Sequence, residues 1–123
     1  MIRMSCLAVV ALSAAAPLSA GQPLSESMVQ CGALYTVAAG WVDRDGTREK
    51  LLDAAEAWAV SAEARAATEG RSDPAGYVDA MWPVKCSAWS QKHRAYVFTG
   101  DFRDWMSYCR ALAKHENVPL PGS

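Results

Sequence analysis

Apolar residues return at three- and four-residue steps through residues 25–42: Met28, Cys31, Leu34, Tyr35, Ala38, Trp41 and Val42. A helix turns once every ~3.6 residues, so this spacing gathers them along one face. The stripe carries a cysteine, and two later segments of the same period carry Cys86 and Cys109. A chain patterned in this way hides its apolar faces by packing helix on helix. The expected fold is all-α, a small antiparallel bundle of about four helices closed through the first of them. No stretch alternates as a half-buried strand would, and no internal repeat or low-complexity run interrupts the pattern.

Breakers and caps divide the rest. Ser25 is the expected N-cap of the first helix, with Glu26 in its first turn, and Gly40 or the cluster at 43–46 ends it. Asp43, Asp45 and Gly46 superficially follow a calcium loop, but that loop requires a Glu where Leu52 stands, so a turn is expected. Thr47 caps a second helix whose apolar face is Leu51, Leu52, Ala55, Trp58, Ala59, Ala62 and Ala66, with Trp58 as core anchor and Gly70 as its stop. Asp73 before Pro74 opens a third segment running to Phe98, kinked or split at Pro83. Its face is Trp82, Cys86, Trp89, His93 and Tyr96. Asp101, with Asp104 three residues on, is expected to cap the last helix, whose face is Phe102, Trp105, Cys109 and Leu112. Residues 118–121 are expected to fray.

Residues 1–20 have the three parts of a secretory signal: Arg3, the apolar run 7–16 broken only by Ser13, and a small residue, Ala20, at the cut. The run is shorter than the roughly 20 apolar residues that span a bilayer. Residues 21–123 are then a single helical domain with short flexible ends, in the periplasm or secreted. Loss of Arg3 takes the net charge from −1 to −2. That balance argues against a nucleic-acid or anionic-membrane partner, either of which wants a basic surplus.

In an oxidising compartment two of the three remaining cysteines are expected to pair. Helix order favours Cys31 with Cys109, since the start of the first helix and the end of the last lie together in an antiparallel bundle. Cys86 is left as a free thiol between Trp82 and Trp89, a setting that suits an inert packed sulfur or a covalent dimer link. Trp41, Trp82, Trp89 and Trp105 are candidates for an exposed binding surface. No Gly-rich phosphate loop, nucleophile elbow, HExxH or CxxCH occurs, and the neighbouring carboxylates all have capping or solvated-face explanations. The favoured function is a non-enzymatic module that binds a protein or peptide, such as another periplasmic protein, with no cofactor. One alternative is a haem or copper carrier using His93 with Met28, Met81 or Met106. A second is a small thiol-dependent enzyme or redox protein using Cys86. His115 is expected at the negative end of the last helix.

Overall fold

Neither end of the first helix is capped from its own sequence; both are capped by charged side chains from distant parts of the chain. The computed structural model describes residues 21–122, and the expected signal segment lies outside them. In order they form α1 (Leu24–Trp41), α2 (Asp45–Thr68), α3 (Pro74–Ser90), a 3₁₀ segment (Arg94–Phe98) and α4 (Gly100–Glu116). There is no strand among the described residues, and none of their helices is long and apolar enough to cross a membrane. The all-α bundle is the observed architecture.

The N-cap of α1 is Pro23 rather than Ser25, and it offers no side-chain acceptor. Glu69, at the far end of α2, takes that role: its carboxylate accepts from the Ser25 N–H at 3.1 Å and from Ser25 Oγ at 2.5 Å. Ser25 is buried and lies within the helix, so its hydroxyl serves this long-range contact instead of a local cap. At the other end, Arg48 donates from Nε to the Ala39 carbonyl at 3.2 Å and from Nη2 to that of Val42. Arg94 donates from Nε to the Trp41 carbonyl at 3.0 Å and from Nη2 to Asp43 at 2.7 Å. A carboxylate thus meets the positive end of α1 and two guanidiniums meet its negative end, as the helix dipole favours.

These pairings also set direction. Ser25 meets Glu69 and Ala39 meets Arg48, so α1 and α2 run antiparallel. Glu26 meets Lys85 at 2.8 Å, and the Gln30 carbonyl accepts from Trp89 Nε1 at 3.0 Å, so α1 and α3 run parallel. The first and third helices are neighbours, not diagonal partners: α1, α2 and α3 all pack on one another. Gly32 permits this approach. A Cβ there would lie 2.3 Å from Cη2 of Trp82 and 2.9 Å from Cβ of Trp58, so the bare backbone of α1 receives side chains from both neighbours. The core centres on Trp58, fully buried, with Val29, Leu34, Val78 and the alanines of α2. Leu52, expected on that face, is exposed, and Ala54 is buried instead.

Other boundaries moved for identifiable reasons. Helix α2 starts at Asp45, before Thr47. It ends as Gly70 takes φ +89°, with hydrogen bonds from the Gly70 N–H to the Ala67 carbonyl and from the Arg71 N–H to that of Ala66, the Schellman arrangement. Asp73 caps α3 as expected, accepting from the Gly76 N–H at 3.1 Å. Helix α3 runs unsplit through Pro83. Both Pro83 and Asp79, whose carbonyl loses its donor, are exposed, so water can meet the freed group. The helix stops at Ser90, short of Phe98, and His93 takes φ +68°, which removes it from the stripe of Trp82, Cys86 and Trp89. Thr99, not Asp101, caps α4, accepting from the Phe102 N–H at 3.1 Å. Residues 118–121 do not fray at their start: the Val118 N–H reaches the Ala113 carbonyl at 2.8 Å and its side chain is buried.

Helix α4 approaches α1 closely only around one covalent link. Cys31 and Cys109 are disulfide-bonded, with Cα atoms 5.7 Å apart and both residues fully buried. Beyond the link, Arg65 of α2 reaches Glu116 at 3.6 Å.

Candidate functional site

Helix α4 leaves an opening on either side of the disulfide. The larger, about 650 Å³, lies between the first half of α2 and the second half of α4. Leu51, Ala54, Met106, Ala113, Val118 and Leu120 make it apolar, while Lys50, Arg110 and Lys114 edge it. No acidic side chain lines it among the described residues. Met106, Arg110 and Lys114 follow one another at four-residue steps, which stacks them on one face of α4. Asn117, in the left-handed conformation at φ +58°, turns the chain so that residues 118–122 form another wall. Lys50, Arg110 and Lys114 enter no ion pair among the described residues; Arg110 donates only to Ser107 Oγ, at 3.2 Å. Three cations therefore face a largely apolar hollow without counter-charge.

Tyr35 reaches this hollow from α1. The residue is 5% exposed and lines the groove, yet its hydroxyl has no hydrogen-bond partner among the described residues. Burial pushes its pKa above the ordinary phenol value, while the nearby Arg110 charge opposes the shift. At neutral pH it is a protonated donor beside a guanidinium.

The second opening, about 480 Å³, is edged by Asp101, Asp104, Trp105 and Tyr108 of α4 and by Gln22, Ser27 and Gln30. Its polar groups are largely engaged with one another. Gln22 Nε2 donates to Ser27 Oγ at 2.9 Å and to Gln30 Oε1 at 3.3 Å, and Asp101 accepts from the Tyr96 hydroxyl. Burial, then that contact with Asp101, pushes the Tyr96 phenol far up.

The four tryptophans pack against other elements, with Trp41, Trp82 and Trp105 left half-buried. Trp89 is buried and hydrogen-bonded, Trp82 lies over Gly32, and Trp41 packs edge-on to Tyr96 with ring centroids 6.1 Å apart. Trp105 meets Trp89 edge-on at 5.2 Å and Tyr108 at 5.6 Å. The result is an aromatic chain joining α1, α3, the 3₁₀ segment and α4, each such pair contributing roughly 0.5–1.5 kcal/mol beyond its buried area. These contacts cover part of each ring, and Trp105 still edges the second opening.

The residues considered for haem or copper are not gathered either. Met28 is in the core, Met81 packs on it from α3, Met106 lines the basic groove, and His93 is exposed where the chain enters the 3₁₀ segment. No three His, Cys, Asp or Glu side chains converge as a metal site among the described residues. His115 sits within the last turn of α4, its Nδ1 2.8 Å from Glu116. Cys86 is unpaired and half-buried, and desolvation pushes its thiol pKa up, away from the reactive thiolate.

The sequence reading placed Tyr35 on the apolar face of the first helix and gave Lys50, Arg110 and Lys114 no role. The one available signal was the four-residue spacing of Met106, Arg110 and Lys114, which places a cationic stripe beside an apolar one. Comparison of the chain with protein-family models, with curated proteins and with solved structures yields no match.

Proposed function

We propose that the protein is an exported, non-enzymatic binding module that holds an acidic, apolar-faced segment of another polypeptide in the groove between α2 and α4. The observation that carries this reading is the charge balance of the groove: Lys50, Arg110 and Lys114 border an apolar hollow that no acidic side chain lines among the described residues. Apolar side chains of a ligand would leave water on Leu51, Met106 and Val118, contributing about 25 cal/mol per Å² removed. Acidic groups would meet the unpaired cations, which chiefly set partner choice and association rate. The size suits a few side chains of one chain segment, within the range of ligand-sized hollows. Export rests on the composition of residues 1–20, and a buried disulfide is consistent with it.

Fluorescence anisotropy tests the reading with two labelled ten-residue peptides, one of leucine and glutamate and one of leucine and lysine. The glutamate peptide should bind, the lysine peptide should not, and added salt should weaken the complex. The triple change Lys50→Glu, Arg110→Glu, Lys114→Glu should abolish binding of the first. Equal binding of both peptides, or full affinity in the charge-reversed protein, would refute it.

A further inference from the structure

The cations of the groove are exposed residues, whereas Tyr35 is buried. A tyrosine with 5% of its surface exposed normally satisfies its hydroxyl inside the protein. Here that hydroxyl makes no hydrogen bond among the described residues and opens on the groove, unlike Trp58 Nε1 and Arg65 Nε, which are shut in without one. Arg110 lines the same groove, close enough for its charge to act on the phenol. Two donors, one neutral and one cationic, therefore line a hollow in which no described carboxylate stands, among Leu51, Met106, Ala113 and Val118.

Resting on the peptide-binding reading above, we propose that the groove recognises a polypeptide C-terminus, with the α-carboxylate accepting from Tyr35 and Arg110. The required acceptor is anionic, because Arg110 is always protonated and a carboxylate has lone pairs for both donors. The apolar surroundings require that the carboxylate be attached directly to an apolar group. A terminal leucine or phenylalanine supplies both from one residue, whereas an internal glutamate brings its charge on a stem flanked by two peptide groups that this wall does not match. Lys50 and Lys114 then face acidic side chains a few residues upstream.

The test compares one glutamate-rich peptide ending in phenylalanine as the free acid and as the C-terminal amide, against the native protein and against Tyr35→Phe. The native protein should prefer the free acid by roughly tenfold or more, the effect of a hydrogen bond to a charged group. Tyr35→Phe, checked for an unchanged far-UV spectrum and cooperative melting, should lose much of that preference, and an unchanged preference would overturn the role of Tyr35. Equal affinity for acid and amide in the native protein would overturn the terminus assignment and leave the peptide-binding reading standing. Binding of neither form would end both. Laurate displacing the free-acid peptide at equal concentration would overturn the choice of a polypeptide end, since an acyl chain would then satisfy the same donors.

Discussion

Gly32→Ala isolates the contact that lets α1 pack on two helices at once. Alanine in a helix interior is favoured over glycine by about 1 kcal/mol, so a propensity argument alone predicts stabilisation. Packing predicts the reverse. The new methyl would lie 2.3 Å from Cη2 of Trp82 and 2.9 Å from Cβ of Trp58. The indole of Trp82 is rigid, and Cβ of Trp58 moves only with the backbone of α2, so relief requires both helices to move away from α1. Overpacking of this kind costs about 1–3 kcal/mol, and two simultaneous clashes place it at the upper end. The net expectation is a loss of about 2 kcal/mol. Urea unfolding followed by circular dichroism should show a lower midpoint with an unchanged slope. Shrinking the neighbour in the double variant Gly32→Ala, Trp82→Leu should show positive coupling, the alanine costing less there than in the native background. A single variant as stable as the native protein, or more stable, would refute the close-approach argument.

Removing the disulfide through Cys31→Ala with Cys109→Ala should lower stability by about 4–5 kcal/mol on the chain-entropy model for a link spanning 78 residues. Cys86→Ala should cost roughly 1 kcal/mol by comparison, and chemical denaturation of the variants compares the losses. Cys86 should react with iodoacetamide slowly in the native state and quickly in urea, as mass spectrometry of timed samples would show. Glu69 gives an acid dependence of definite sign. Burial pushes its pKa up, but hydrogen bonds from Ser25 and the charges of Arg65 and Arg71 more than offset this and hold it below its ordinary value. The unfolded state therefore takes up this proton first, and stability should fall as pH drops below about 4.5 through the lower native value. Glu69→Gln should flatten that part of the melting-temperature profile, while Glu69→Ala should cost about 1–2 kcal/mol at neutral pH for the lost cap.

Fold class was legible in the sequence because helical period is a local property: the stripe from Met28 to Trp41 and, Leu52 excepted, the face around Trp58 read correctly from spacing alone. The Asp73 cap read correctly for the same reason, its acceptor lying three residues from its donor. Ser25 did not, because its partner Glu69 is 44 positions away and no local rule names it. For the tryptophans, spacing showed which helix face each occupies and not what covers it: Trp89 is buried, and Trp41, Trp82 and Trp105 are half-buried. The order of the helices suggested Cys31 with Cys109, which the structure joins, but it gave no sign that α1 and α3 would pack side by side and parallel. Gly32 was the missed clue, since a helix-interior glycine marks a place where another element can approach. The groove was the least legible feature. Tyr35 belongs to α1, Lys50 to α2 and Arg110 to α4, and only the crossing of α4 at the disulfide brings them together.

Chemical-shift mapping with the glutamate-rich free-acid peptide and ¹⁵N-labelled protein tests the account most directly. Backbone and side-chain resonances of Tyr35, Lys50, Leu51, Met106, Arg110 and Lys114 should shift together and saturate with one dissociation constant. Shifts confined to Asp101, Asp104 and Tyr108 on the other side of α4, or to Val60 and Val84, which are exposed on α2 and α3, would contradict it.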